Sequence, residues 1–398
     1  MEKTTVSHQG NKLQQARDLY DQLVAWRRDF HMHPELGFQE TRTAGRVADV
    51  LGPLGYRVRT GVGRTGVVAD RGDGAPIIAI RADMDALPIQ ETNDVPYASQ
   101  NPGVMHACGH DAHTAIALGV ATLLAGEQFP GTVRFLFQPA EEVGDEEGIS
   151  GAPRMVEDGA MDGVNAVLAL HVHPKTPAGS ISVRSGPISA GVDSFFVTIT
   201  GRGGHGAYPH DVVDPIYIAG HVILALHGIV SRRLHPVDPA VISIGSIHGG
   251  KAENVIPERV KMTGTIRFMR AEVRELLHQE IERALGIART LGGDFTLRIE
   301  HGGFPVINDE QVVKYIQEVA TDLLGAEGVQ SHGQEMGAED LGAFLAHAPG
   351  AMFSLGSCIE GDERQGHHPR FDIDERCLPV GVAVLTETAL RLLRGSRR

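Results

Sequence analysis

The sequence predicts an α/β domain into which a smaller α+β domain of ferredoxin-like pattern is inserted. Short, continuous apolar segments at 66–69, 77–80, 133–137 and 166–170 alternate with helical stretches. Continuously apolar strands of this kind belong to a largely parallel sheet buried on both faces. The middle of the chain then reads strand 194–200, helix 214–231, strands 240–247 and 258–269, helix 271–291 and strand 294–300. That order, β-α-β-β-α-β, is the ferredoxin-like pattern. Beyond it the chain returns to helix, strand and helix. Gly and Pro punctuate 186–191 and 302–305, the expected hinges. The domains are therefore drawn as 1–188 with 304–398, and 189–303 inserted between them. A cleft between two such domains is a natural place for a small-molecule site.

Among the helices, 13–30 is amphipathic, with Leu19, Leu23, Val24, Trp26 and Phe30 near one face. A second helix is expected at 40–52, and 111–126 is rich in Ala and Leu, as a buried helix would be. No short repeat or low-complexity tract interrupts the pattern.

The chain's 398 residues suffice for a full core and more than one domain. A formal net charge of -14 argues against a general nucleic-acid binder, which needs a basic face. The start, MEKTTVSHQGNKLQQ, is polar and lacks the apolar stretch of a signal peptide, and no apolar run approaches membrane-spanning length. Three cysteines, Cys108, Cys358 and Cys377, are too few and too odd for a disulfide framework, so a reducing cytoplasm is the expected compartment. Twenty histidines exceed ordinary usage, and histidine is the commonest metal ligand, so their positions matter.

The densest cluster is Met105-His-Ala-Cys-Gly-His-Asp-Ala-His113. It should form a loop at a helix start, where Cys108 and His110 can face one cation. Thiolate and imidazole suit zinc and similar divalent metals. Asp111 is adjacent and can orient a ligand histidine. A lone Cys-x-His is more often a buried thiol beside surface histidines; the density here favours metal. The segment 135–142 runs an apolar strand into a turn and two carboxylates, Glu141 and Glu142. Ligands bind at the carboxyl ends of strands in such sheets. Adjacent acids can divide the work, one on metal and one moving protons, although Asp145, Glu146 and Glu147 also fit a solvated acidic loop. His171 and His173 end a third strand and share a face by alternation, and His367 and His368 form a loop pair before the last helix. Alone, each is ordinary. Asp83 and Asp85 follow another buried strand and can bind metal, support a ligand or cap a turn. In the inserted domain, His205 sits among the glycines of Gly201-Arg-Gly-Gly-His-Gly, which lack the phosphate-binding arrangement.

Taken in order, these segments resemble the aminoacylase and di-metal carboxypeptidase superfamily, in its amidohydrolase branch of hippurate hydrolases, N-acyl-L-amino acid amidohydrolases and indoleacetyl-amino-acid hydrolases. The matching stretches are RRDFHMHPELGFQE, IAIRADMDALPIQE, MHACGHDAHTAIALG, LFQPAEEVGDEEGISGAPRMVEDG, LALHVHP, GRGGHGAYPH, KAENVIPERVKMTGTIR and HHPRFDIDE, spanning residues 27 to 375. The resemblance implies a zinc-peptidase-like catalytic domain and an inserted lid and dimerisation domain. It implies two divalent ions, zinc, manganese, cobalt or nickel, held by Cys108, His110, Glu142, His171 and His367. It assigns Glu141 as general base, His205 as an oxyanion-stabilising residue often supplied by the partner subunit, and Asn254 and Arg267 as contacts to a substrate carboxylate. Many relatives carry His-x-Asp at the first metal position. Here that site reads Arg81-Ala-Asp83, which points to Asp83 as a supporting residue. His31, His33, His113 and His173 fit the motifs but not the ligand positions.

The expected activity is hydrolysis of N-acyl-L-amino acids, hippurate-like substrates, by metal-activated water with Glu141 taking the proton. A dipeptidase or carboxypeptidase on the same site is the alternative, and a non-catalytic ligand-binding homologue a further one. A serine hydrolase is disfavoured because no Gly-x-Ser-x-Gly elbow occurs; a cysteine hydrolase, because Cys108 is better explained as a ligand. The expected partners are a small acyl-amino acid or dipeptide and a second copy of the chain, with neither nucleic acid nor membrane.

Overall fold

The computed structural model describes residues 9–331, 333–362 and 364–395. The first residues of the polar N-terminal stretch lie outside them. The chain divides into two compact units. The first comprises residues 1–186, 307–333 and 343–398, and the second 187–306 with 334–342. The short return segment 334–342 thus belongs with the second unit, whereas the sequence reading drew it in the outer domain.

The first unit is built on an eight-stranded sheet. Its spatial order is Arg57–Val62, Gly66–Asp73, Gly131–Gln138, Ile77–Asp83, Val164–Pro177, Gly350–Cys358, Ile181–Ser182 and Val329–Gln330. The four central strands, from Gly131–Gln138 to Gly350–Cys358, are mutually parallel. The pair Arg57–Val62 and Gly66–Asp73 extends the sheet antiparallel. Every residue of Gly131–Gln138 is buried, which explains why its apolar residues, Val133, Phe135, Leu136 and Phe137, do not alternate with exposed polar ones. The helices His110–Ala125 and Leu378–Arg394 approach closely because Gly119 has no side chain: a Cβ there would lie 2.6 Å from Leu23 and 2.7 Å from Val382. Such contact places Ile116, Val120, Val382 and Leu385 in one core with Phe135, Leu168 and Phe353.

Three elements differ from expectation. The helix read as 13–30 is two helices, Gln9–Asp18 and Tyr20–Met32, because Leu19 closes a tighter turn through its N–H to Ala16 O. The helix read as 271–291 breaks at Gly286, a poor helix former, into Ala271–Leu285 and Ile287–Thr290. The strand Arg57–Val62 was not read because its side chains are mostly exposed and carry no apolar run.

In the second unit the strands Asp294–His301, Gly186–Thr200, Arg259–Phe268 and Ala240–Gly249 lie side by side, all antiparallel. The helices Pro215–Arg233 and Ala271–Leu285 supply Ile218, Val222, Leu226, Val273, Leu277 and Ile281 to a core with Phe195, Val197, Val260 and Ile266. Pro215–Arg233 is by length and composition apolar enough to cross a membrane, which corrects the reading that no run approaches that length. Its buried stripe against the sheet accounts for part of that composition.

Candidate metal centre

Four chain segments of the first unit carry the candidate ligands, and each is fixed by a local device. Gly109, at φ +100, turns the chain between Cys108 and the helix His110–Ala125. Only glycine fits: a Cβ would lie 2.2 Å from Val172 Cγ2. His110 Nδ1 lies 2.9 Å from the carbonyl oxygen of Asp85. A carbonyl only accepts, so Nδ1 carries the proton and Nε2 presents its lone pair. That Nε2 is buried without a hydrogen-bond partner.

The acidic pair follows the strand Gly131–Gln138 through Ala140, held at φ +44. His367 sits at φ +57. Left-handed backbone at a non-glycine residue costs on the order of 1–3 kcal/mol and persists where surrounding bonds enforce it. Here they do. The Ala140 N–H donates to Glu40 Oε1 at 2.8 Å, and its carbonyl accepts from Gly151 N–H at 2.9 Å. The His367 N–H donates to Ala107 O at 2.7 Å. Asp85 joins two arms at once: Oδ1 lies 3.2 Å from His110 Nδ1 and Oδ2 accepts from Glu142 N–H at 3.0 Å.

The side chains converge. His171 Nε2 lies 3.4 Å from Cys108 Sγ, and His367 Nε2 lies 3.0 Å from Glu142 Oε1. Donor atoms fall within 4.8 Å of one another in three overlapping sets: Cys108, His110 and His171; Cys108, Glu142 and His367; His110, Glu141 and Glu142. Cys108 is common to the first two. Burial pushes the Cys108 thiol up, against the favourable contact with His110. Burial acts to raise Glu142 as well, but His367 and His110 outweigh it and hold the carboxyl below its ordinary value. His110 Nε2 is buried without a hydrogen bond. Buried polar atoms normally have partners, and an orphaned lone pair beside a thiol, a charged carboxylate and two more imidazoles fits divalent cations. The donor mix of sulfur, nitrogen and carboxylate oxygen suits zinc, manganese, cobalt or nickel.

The remaining residues take other places. Asp83 forms a fully buried ion pair with Arg81 at 2.6 Å and binds His113 Nδ1 at 2.6 Å, so its oxygens are engaged. Asp111, expected to orient a ligand histidine, instead binds Arg27 at 2.8 Å and His31 at 2.7 Å. Asp85 does the orienting of His110, a role nothing local in the sequence distinguished from turn capping. His173 Nδ1 lies 2.9 Å from the Thr176 hydroxyl, and His33 donates to Asp29 O. His205, Asn254 and Arg267 belong to the second unit. There the exposed His205 lies on the short strand Gly204–His205, and the next residue, Gly206, donates its N–H to Asn254 O at 2.8 Å. Arg267, half-buried on Arg259–Phe268, has no hydrogen-bond or ion-pair partner among the described residues.

Glu40 supports the acidic turn from below. Burial pushes its carboxyl up to about 7, against the Thr65 hydroxyl bond that favours its charge, and Asp85 adds to the rise. A carboxyl whose folded pKa is raised stabilises the fold below its unfolded value and loses that contribution as pH climbs through the folded one. The loss here is about 3 kcal/mol between roughly pH 4.5 and 7. The uncharged variant Glu40→Gln is expected to gain that much on wild type across the same interval in urea unfolding of metal-free protein. A difference independent of pH would exclude an ionising Glu40.

With this geometry established, comparison with known proteins is informative. A model of Peptidase family M20/M25/M40 matches residues 79–391. A probable hydrolase of Synechocystis sp. is 44% identical over 384 residues, covering 94% of this chain and 96% of that protein. The N-acetyl-L-cysteine deacetylase of Bacillus subtilis is 40% identical over 383 residues, covering 94% and 89%. A solved Bacillus subtilis structure, described as a dinuclear metal binding peptidase from the M20 family, matches with a TM-score of 0.83 at 35% identity, covering 95% of this chain and 99% of that one. The matched span takes in all five candidate ligands and Glu141, and the chain belongs to peptidase family M20/M25/M40, a family of metallo-hydrolases.

Proposed function

We propose that this protein hydrolyses the amide bond of N-acyl-L-amino acids, using two divalent cations held by Cys108, His110, Glu142, His171 and His367. The observation that carries this reading is the meeting of those five donors around the buried, unpaired Nε2 of His110, with Glu141 beside them. Bound cations supply carbonyl polarisation and water of lowered pKa. Glu141 takes the proton of the attacking water and hands it to the leaving amine. His205 Nδ1 accepts from the Ala207 N–H at 3.1 Å, which leaves Nε2 to carry the proton in the neutral ring. That N–H is the donor an oxyanion needs. Arg267, half-buried and unpaired among the described residues, suits the free carboxylate of an amino acid, and Asn254 shares that role.

The deacetylase relative supports an acyl-amino acid substrate. The neighbour described as a peptidase favours the second reading, a dipeptidase or carboxypeptidase on the same site. A second copy of the chain is the proposed partner. The edge strand Ala240–Gly249 and the helix Pro215–Arg233 expose Tyr217, Leu224 and Ile247, with Leu224 74% accessible, and an open apolar edge of this kind favours association.

Purified metal-free protein should be supplied with zinc, manganese, cobalt or nickel in turn and offered N-acetyl and N-benzoyl amino acids beside dipeptides. Acyl-amino acids are expected to turn over with the higher kcat/KM. Preference for dipeptides would move the function to the second reading, and no hydrolysis with any metal would remove both.

A further inference from the structure

We propose that His113 is a positioning residue that sets the ring tautomer of His171 through the backbone of Val172, with Asp83 and Arg81 setting the tautomer of His113 in turn. The inference rests on the assignment of His171 as a metal ligand and extends it to residues with no assigned role.

The chain of contacts has a direction at every step. The Val172 N–H donates to His113 Nε2 at 2.9 Å. An imidazole nitrogen that accepts carries no proton, so neutral His113 is protonated on Nδ1. That Nδ1 lies 2.6 Å from Asp83 Oδ1, the acceptor it requires. Asp83 Oδ2 accepts from Arg81 Nη1 at 2.6 Å, and both side chains are wholly buried. The next peptide group, on the other side of the Val172 Cα, is held as well, because His171 Nδ1 lies 2.8 Å from Val172 O. The carbonyl only accepts, so His171 carries its proton on Nδ1 and turns a bare Nε2 toward Cys108 Sγ, 3.4 Å away. The Val172 backbone is thus held at its N–H by His113 and at its C=O by His171. Val172 is also packed against Gly109, where a Cβ would sit 2.2 Å from Val172 Cγ2.

The consequence is specific. Without the His113 acceptor, the Val172 N–H is a buried donor lacking a partner, and the backbone at Val172 loses one of the bonds that fix it. A shift there that draws the Val172 carbonyl off His171 Nδ1 lets the proton move to Nε2, where it blocks ligation.

Two substitutions separate positioning from bulk. His113→Gln can place an amide oxygen where Nε2 stood and keep the Val172 bond. His113→Asn is too short for that bond but can still donate to Asp83. Nitrogen-15 spectra of histidine-labelled, metal-free protein read the tautomers directly, with the His171 signals assigned by their loss in His171→Asn. Wild type and His113→Gln are expected to show His171 protonated on Nδ1, and His113→Asn a mixture of both tautomers. Zinc affinity, measured by competition with a chromophoric chelator, is expected to fall about 10- to 100-fold in His113→Asn, and within a few-fold of wild type in His113→Gln. An unchanged His171 tautomer in folded His113→Asn overturns the proposal, as does equal loss of affinity in both variants. If wild type takes up no zinc, the ligand reading fails on its own, and the nitrogen spectra still decide whether His113 governs His171.

Discussion

Replacement of Glu141 by Gln is expected to lower kcat by roughly 10²- to 10⁴-fold while the protein keeps both cations. The expectation follows from the division of the acidic pair. Glu142 belongs to a donor set with Cys108 and His367 and a second with His110 and Glu141. Its Oε1 lies 3.0 Å from His367 Nε2, and the nearby imidazoles hold its carboxyl in the charged form a ligand needs. Glu141 is drawn to the same place by the turn that Ala140 begins, but it completes no set with Cys108. A side chain beside the ligands and outside the thiol-centred sets is suited to carry a proton. Gln keeps the shape and the hydrogen-bonding capacity of Glu141 and removes only its basicity. Metal content by elemental analysis and kcat on the best acyl-amino acid separate the two roles. Loss of a cation in E141Q would make Glu141 a ligand, and near-normal kcat would remove it as the base.

How much of this was legible in the sequence depends on how local each signal is. Cys108 and His110 stood out because a thiol and several imidazoles crowd one short loop, and the Gly between them marks a turn. Glu142, His171 and His367 had no such density. They lie on segments far apart in the chain, and only the ordered resemblance across residues 27–375 raised them together. The parallel sheet was readable because burial on both faces leaves continuous apolar runs, as at the start of Ile77–Asp83. The strand Arg57–Val62 was missed because an exposed edge leaves no such run. Supporting residues were the hardest to read. An Asp after a strand looks the same whether it caps a turn or, like Asp85, holds His110 with one oxygen and the Glu142 peptide with the other. Asp111 was misread for the same reason: proximity in sequence suggested His110, while the fold delivered Arg27 from another helix. Glu40 drew no notice in the sequence; only the fold shows that it is fully buried beneath the Ala140 turn.

Substitution of Cys108 by Ser is expected to cost the protein both cations and roughly a thousandfold or more in turnover. Cys108 is the one side chain shared by the set with His110 and His171 and the set with Glu142 and His367. Serine nearly preserves the size of the side chain, so the packing around Gly109 and Val172 should survive. What it lacks is an ionisable thiol. Burial already pushes the Cys108 thiol up in the metal-free protein, so the group waits protonated and surrenders its proton only to a cation. Two consequences follow. Metal-free wild type and C108S should unfold at nearly the same urea concentration, because the neutral thiol contributes packing and no charge. Added zinc should stabilise wild type in proportion to its occupancy and leave C108S unmoved, since a ligand stabilises only the fold that binds it. Zinc uptake by wild type should also release protons and weaken steeply on acidification, the signature of a thiol that must ionise to bind. Two zinc ions retained by C108S, with stabilisation equal to wild type, would place the cations elsewhere and take the thiol out of the centre altogether.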